Sequence, residues 1–132
     1  TMKFLIPVLM SSLVFSTHAN ALEYICTADT NNGTLLKTFK KISDEFTSET
    51  LQTYKDGDTV EGKNVFSKKQ IYEDNRTISF VDTGHYKGIG VDVIDKTDGG
   101  YTTTVIWGGK ETYEGIDLQK NALSYGTCIL RE

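Results

Sequence analysis

Apolar and polar residues alternate in several short stretches of this chain. The clearest stretch, YTTTVIW, places Tyr101, Thr103, Val105 and Trp107 on one side and Thr102, Thr104 and Ile106 on the other. Similar alternation puts Ile78 with Phe80, and Ile89 with Val91 and Val93, and it recurs in ALSYGTCIL near the end of the chain. Side chains of a strand point to opposite faces in turn, so a period of two predicts β-strands.

Turn-forming residues separate these stretches at intervals of roughly 8 to 15 residues, a spacing typical of all-β domains. Asn32-Gly33 and Asp56-Gly57 are the strongest hairpin signals, because tight hairpin turns need positive φ angles that Asn, Asp and Gly tolerate. The pattern predicts an all-β fold, a small antiparallel β-barrel or sandwich of about eight strands, in which the sheet curls or splits to bury one face.

The segment TLLKTFKKISDEF, residues 34–46, fits two descriptions. Its apolar residues recur at helical spacing, with lysines on the opposite side: Leu35, Leu36, Phe39, Ile42 and Phe46. Against a helix, Asn32-Gly33 would pair the segment with YICTA as a hairpin, and Thr34 and Thr38 favour strands. We favour the strand and keep a short helix as the alternative.

The first 21 residues have the order of a secretory signal. A single lysine, Lys3, precedes an apolar stretch that runs from Phe4 to about Phe15, and small residues follow up to Ala19-Asn20-Ala21. The apolar stretch is shorter than the roughly 20 residues of a membrane-spanning helix. We therefore expect residues 1–21 to be removed, residues 22–132 to form one β-domain, and the protein to be periplasmic or secreted without a transmembrane segment.

Charge narrows the choice of partner. Removal of residues 1–21 takes one of the 14 basic residues and none of the 18 acidic ones, which leaves a net charge of −5. An acidic domain without a basic patch does not favour nucleic acid or an anionic membrane. We expect a monomer whose charged partner, if it has one, is a cationic protein.

The chain has two cysteines, Cys26 and Cys128, near the two ends of the expected domain. An even pair in an exported chain indicates a disulfide. This bridge would join the N- and C-terminal strands, and the chain-entropy model assigns a loop of this size at most about 4.7 kcal/mol. Two cysteines and a histidine do not make a zinc site, which needs about four ligands.

Residues with catalytic potential do not form a recognisable constellation. His85 is the one histidine after residue 21, and no nucleophile motif accompanies it. Carboxylate pairs such as Glu111 with Glu114 or Asp92 with Asp95 are not specific to glycosidases. We therefore predict no enzyme activity, no catalytic residues, no metal and no cofactor.

Aromatic residues at predicted strand ends are the best candidates for binding. His85 and Tyr86 in TGHYKG, and Trp107 in IWGG, stand beside glycines where loops are expected. Tyrosine and tryptophan combine a large apolar surface with one polar group, which suits them to interfaces. We predict that His85, Tyr86 and Trp107 contribute to a binding site.

The frame of a signal peptide, Tyr24-Ile25-Cys26, an antiparallel β-domain and a late cysteine is similar to that of bacterial periplasmic inhibitors of C-type lysozyme. That family inserts a loop with a Ser-Gly-x-x-Tyr pattern into the lysozyme cleft. The nearest match here is Thr83-Gly84-His85-Tyr86, which lacks the serine and one spacer residue. The resemblance covers the frame and implies an exported, non-enzymatic inhibitor.

Two functions therefore remain open. The first is an exported β-domain that binds another macromolecule, as an inhibitor or immunity-type protein of a periplasmic enzyme such as lysozyme. The alternative is a lipocalin-like carrier of a small apolar ligand, since an eight-stranded barrel can hold one such ligand. A carrier needs a continuous apolar cavity, whereas a binder should have a side-chain-filled interior and a protruding loop.

Overall fold

The computed structural model describes residues 21–84, 88–108, 112–113, 116–117 and 123–132, and its regular structure is almost entirely β. The strands are β1 (Ala21–Thr30), β2 (Gly33–Ile42), β3 (Glu45–Tyr54), β4 (Thr59–Phe66), β5 (Ile71–Glu73), β6 (Thr77–Asp82), β7 (Gly88–Asp95), β8 (Gly100–Trp107), β9 (Thr112–Tyr113), β10 (Ile116–Asp117) and β11 (Ser124–Arg131). A single turn of 3-10 helix, Lys68–Gln70, lies between β4 and β5. The all-β prediction is confirmed.

Nine antiparallel strands form one curled, half-barrel sheet in the order β4-β3-β2-β1-β11-β8-β7-β6-β5. The pairing of β1 with β11 joins two meanders, so the sheet follows the order of an up-and-down barrel. It departs from a closed barrel at one place, because β4 and β5 follow each other in sequence but lie at opposite edges of the sheet. Strands β9 and β10 pair only with each other in the described part of the chain.

The hairpins explain why residues 34–46 are extended. Thr30 pairs with Gly33, so Asn31 and Asn32 form the turn and the segment continues as β2. A second tight turn at Ser43 and Asp44 begins β3 within the same segment, and Ser43 adopts a positive φ of 58°. The strand prediction for this segment is confirmed. The helix-like spacing of its apolar residues arises because Lys37 occupies an inward position between Leu35 and Phe39.

The predicted disulfide joins the N- and C-terminal strands. Cys26 and Cys128 stand directly opposite each other in the ladder between β1 and β11, with their Cα atoms 3.9 Å apart. The backbone N–H of Cys128 donates to the carbonyl of Gly99 at 2.7 Å, which ties the turn between β7 and β8 to the same position. The bridge therefore fastens the two meanders at the centre of the sheet.

Packed aromatic rings fill one end of the half-barrel. Phe80 stacks on Phe39 with 4.2 Å between ring centroids, and Phe46 and Phe66 contact Phe80 at 5.0 and 5.1 Å. Around these rings lie the other buried apolar side chains: Tyr24, Cys26, Ala28, Ile78, Ile94, Tyr101 and Cys128. Each large aromatic removes on the order of 150–250 Å² from water, so this cluster is the main source of stability.

In β7 and β11, some polar side chains face the concave interior and some apolar side chains lie on the convex face. In β7 the alternation turns Asp92 and Ile94 inward and leaves Ile89 exposed on the convex side, with Val91 and Val93 partly exposed there. In β11 the inward side chains are Ser124 and Cys128, while Tyr125 and Ile129 are exposed.

No helix within the described residues is long and apolar enough to cross a membrane.

Candidate functional site

An open cleft of about 490 Å³ occupies the end of the half-barrel that the aromatic core does not fill. It lies where β1, β3, β6 and β8 end and where β2, β4, β7 and β11 begin, so eight strands contribute to it. Its described lining is Thr30, Asn31, Asn32, Leu35, Lys37, Thr50, Gln52, Tyr54, Val60, Glu61, Gly62, Asp82, Gly90, Asp92, Thr103, Thr104, Val105, Trp107 and Ser124.

The cleft carries a net negative charge. Among the described residues that line it, Lys37 and Asp92 form an ion pair and Asp82 adds a further carboxylate, which gives one net negative charge. Asp82 ends β6 and accepts a hydrogen bond from the backbone N–H of Gly84 at 2.8 Å. Glu61 borders the cleft from strand β4, but the alternation that turns Phe66 inward turns the side chain of Glu61 to the convex side. The cleft is therefore suited to a cationic group, and apolar side chains such as Leu35, Val105 and Trp107 also line it.

A buried ionic network forms the floor of the cleft. Lys37 donates to one carboxylate oxygen of Asp92 at 2.8 Å, and the hydroxyl of Tyr101 donates to the other at 2.5 Å. The side chains of Lys37 and Asp92 are only 13% and 2% exposed. The lysine ammonium also lies 5.3 Å from the centre of the Phe39 ring, which stabilises its charge further.

Sheet register continues this polar floor across three strands. Asp92 of β7 pairs with Thr103 of β8, and Thr103 pairs with Ser124 of β11. Burial, followed by the neighbouring carboxylate of Asp92, raises the pKa of Tyr101 well above its usual range. Tyr101 therefore remains a neutral hydrogen-bond donor, and the row of polar side chains separates the cleft from the aromatic core.

The network holds its own groups in place and does not present a reactive one. Both carboxylate oxygens of Asp92 accept hydrogen bonds from protein side chains, and the residue is almost fully buried. A general base must instead reach a substrate proton, and burial keeps the carboxylate of Asp92 away from one. The arrangement is thus that of a rigid, charged platform beneath an open recess.

Of the three residues predicted to bind, Trp107 lies in the cleft, at the end of β8, where it pairs with Gly88. His85 and Tyr86 lie outside the described residues. Their connection joins Asp82, which lines the cleft, to Gly88, which pairs with Trp107. The structure thus places Trp107 at the cleft, and the roles of His85 and Tyr86 stay predictions.

Sequence reasoning missed Lys37, Asp92 and Tyr101 as parts of one site. A charged residue on the inward face of a strand is the signal that could have identified the first two. Lys37 lies between Leu35 and Phe39 on the inward face of β2, and Asp92 shares the inward face of β7 with Ile94. Pairing them needs the whole sheet order, because 55 residues separate Lys37 from Asp92. The alternation in 101–107 groups Tyr101 with Trp107 on one side of β8, but it does not identify Asp92 as the partner of Tyr101.

Neither the metal-binding side chains nor a similarity to known proteins identifies the function of the cleft. Within the described parts of the chain, no group of three or more His, Cys, Asp and Glu side chains could hold a metal ion. Comparison with protein families, with curated proteins and with solved structures finds no match to this chain.

Proposed function

We propose that this protein is an exported, non-enzymatic domain that binds a cationic protein, and that a basic side chain of the partner enters the cleft. The observation that carries the proposal is the acidic cleft itself, with carboxylates exceeding lysines among its described lining residues. A recess with one sign of charge and low-dielectric walls focuses its field and attracts ligands of the opposite sign. The disulfide is compatible with an oxidising compartment outside the cytoplasm.

The rim offers the contacts that protein interfaces use. Tyr54 and Trp107 line the cleft together with the amide side chain of Gln52. Gln52 is held in place by the hydroxyl of Thr30 and the carbonyl of Thr34, at 3.4 and 3.2 Å. Aromatic anchors and positioned polar groups are the usual centre of binding energy in an interface.

We favour this function over a carrier of a small apolar ligand because of the chemistry of the interior. The volume of the cleft, about 490 Å³, is sufficient for a small molecule. However, the rings of Phe39, Phe66 and Phe80 fill the most apolar part of the half-barrel, and the open part places charged side chains and hydroxyls beside its apolar ones. A hydrocarbon placed there would leave those polar groups without water.

Within this function, we propose inhibition or neutralisation of a basic enzyme, with C-type lysozyme as the first candidate. The resemblance described for Tyr24, Cys26 and the late cysteine supports the choice of lysozyme. The acidic cleft supports a basic target independently of that resemblance. The change in the inhibitory loop pattern at Thr83-Gly84 means that contacts other than those of that family's loop would carry the interaction.

The test is calorimetric titration of the purified, oxidised chain into C-type lysozyme and into a panel of basic wall hydrolases, with cell-wall lysis measured in parallel. We expect binding that weakens as salt is raised, because exposed charges are screened over about 10 Å at 0.1 M salt. Two matched variants locate the binding site. Asp82→Asn removes a carboxylate from the cleft, and Asp29→Asn removes an exposed carboxylate from the convex face.

We expect Asp82→Asn to weaken binding about tenfold and Asp29→Asn to leave it nearly unchanged. Failure of every basic protein in the panel to bind would reject a cationic partner. Equal losses from both variants would reject the cleft as the site and leave only a general attraction between opposite charges.

A further inference from the structure

Strand β4 is a long edge of the sheet with exposed backbone. Its eight residues pair with β3 on one side only, in the register from Thr53↔Thr59 to Phe46↔Phe66. Within the described strands nothing pairs with its other side, and residues 59–63 are all exposed. Residues 22–132 contain no proline that could block this edge.

Two hydrogen bonds show which residues direct their backbone groups outward. Tyr54 donates from its N–H to the carbonyl of Asp58 at 2.8 Å, so the even-numbered residues of β4 exchange backbone bonds with β3. Consistently, the N–H of Val65 is bonded to the side chain of Asn64 and not to β3. The outward groups therefore belong to Thr59, Glu61, Lys63 and Val65.

These residues make the edge complementary to itself in one register. Antiparallel pairing of two β4 edges around Gly62 sets Glu61 of each copy opposite Lys63 of the other. If the centre of the pairing moves from Gly62 to residue 61, Glu61 lies opposite Glu61 of the second copy. If it moves to residue 63, Lys63 lies opposite Lys63. Like charges directly opposite each other are destabilising, so both of these registers are disfavoured.

We propose that two copies of this chain associate through antiparallel pairing of their β4 edges, in the register centred on Gly62. Charge complementarity selects a second copy as the occupant, since the edge carries both members of the matching pair. Among the described residues, Lys63 has a weak competing partner in Glu49 at 3.7 Å, with both side chains largely exposed. Association differs from the monomer that the sequence predicts, and it leaves the cleft open because Glu61 and Lys63 lie on the convex side.

Sedimentation velocity of the oxidised chain from micromolar to millimolar concentration tests this pairing. We expect a concentration-dependent dimer, weakened about tenfold by Glu61→Lys and also by Lys63→Glu, since each change creates two like-charge pairs. An equimolar mixture of the two variants should regain the dimer, because every facing pair in the mixed dimer is again opposite in charge. Lys40→Glu is the control, as it makes the same charge change at an exposed position two strands away from the edge.

Residue-resolved hydrogen exchange gives a second readout. In the dimer, the amides of Glu61 and Lys63 should exchange more slowly as concentration rises, and the control variant should keep this protection. A chain that stays monomeric at millimolar concentration overturns the proposal. So does a dimer that both edge variants and their mixture leave unchanged, or protection of these amides that requires an added basic protein.

Discussion

Asp92→Asn is the substitution that most severely tests the structure of the cleft floor. The amide has nearly the same shape as the carboxylate, so the change removes charge without opening a cavity. It leaves the ammonium of Lys37, whose side chain is 13% exposed, beside a neutral group. Removing one member of a buried ion pair costs about 3–5 kcal/mol, because the remaining charge is uncompensated.

That cost is large compared with the roughly 5–15 kcal/mol that stabilises a typical domain. Urea unfolding of the oxidised protein, followed by circular dichroism, should show the midpoint falling while the slope stays constant. The isolated charge of Lys37 is the cause, so Lys37→Met/Asp92→Asn should be less destabilised than the sum of its single variants by about 2 kcal/mol.

The matched control is Glu49→Gln, which removes the carboxylate of the surface ion pair between Glu49 and Lys63. The two charged groups are 3.7 Å apart, and the side chain of Glu49 is 71% exposed. It should change the free energy of unfolding by less than about 1 kcal/mol. A cost below about 1 kcal/mol for Asp92→Asn, or simple additivity in the double variant, would refute the buried ion pair between Lys37 and Asp92.

Three further predictions concern the bridge, the core and alkaline pH. Cys26→Ala/Cys128→Ala should lower the free energy of unfolding by roughly 2–5 kcal/mol, measured by urea unfolding, because the bridge closes a loop with a sequence separation of 102. A loss under about 1 kcal/mol would contradict its role. Phe80→Ala should cost about 3–5 kcal/mol in the same assay, since its ring contacts three other phenylalanines, and a smaller loss would mean the core is not centred there. The raised pKa of Tyr101 contributes stability that is complete below about pH 10 and is lost as pH rises further, because the tyrosine ionises more easily in the unfolded chain. Thermal melting from about pH 9 to pH 12 should therefore show a shallower alkaline loss for Tyr101→Phe, and equal slopes would disprove this.

The fold class and the bridge could be predicted from the sequence because each rests on a local or simple signal. Alternation in 101–107, the hairpin signal at Asp56-Gly57 and the even pair of cysteines all gave correct predictions. The closure between β1 and β11 followed from the bridge. The gap between β4 and β5 could not be predicted, because it depends on how far the whole sheet curls.

The floor of the cleft could not be predicted because burial of charge reverses the usual assignment of faces. Lys37 occupies an inward position between Leu35 and Phe39, which interrupts the apolar alternation of β2 and leaves a helix-like spacing. In β7 the apolar residues Ile89, Val91 and Val93 face outward, and Asp92 faces inward to meet that lysine. Each strand is anomalous alone, and only the assembled sheet shows that the two charges compensate each other.

The proposed binding mode is tested most directly at Trp107, the only tryptophan of the chain and a lining residue of the cleft. Its indole N–H gives a single signal in a ¹⁵N-correlated spectrum of the labelled protein. During titration with unlabelled C-type lysozyme or another basic partner that binds, we expect this signal to shift together with the signal of the side-chain amide of Gln52. Binding that leaves both signals unmoved, while amides on the convex face shift, would contradict it.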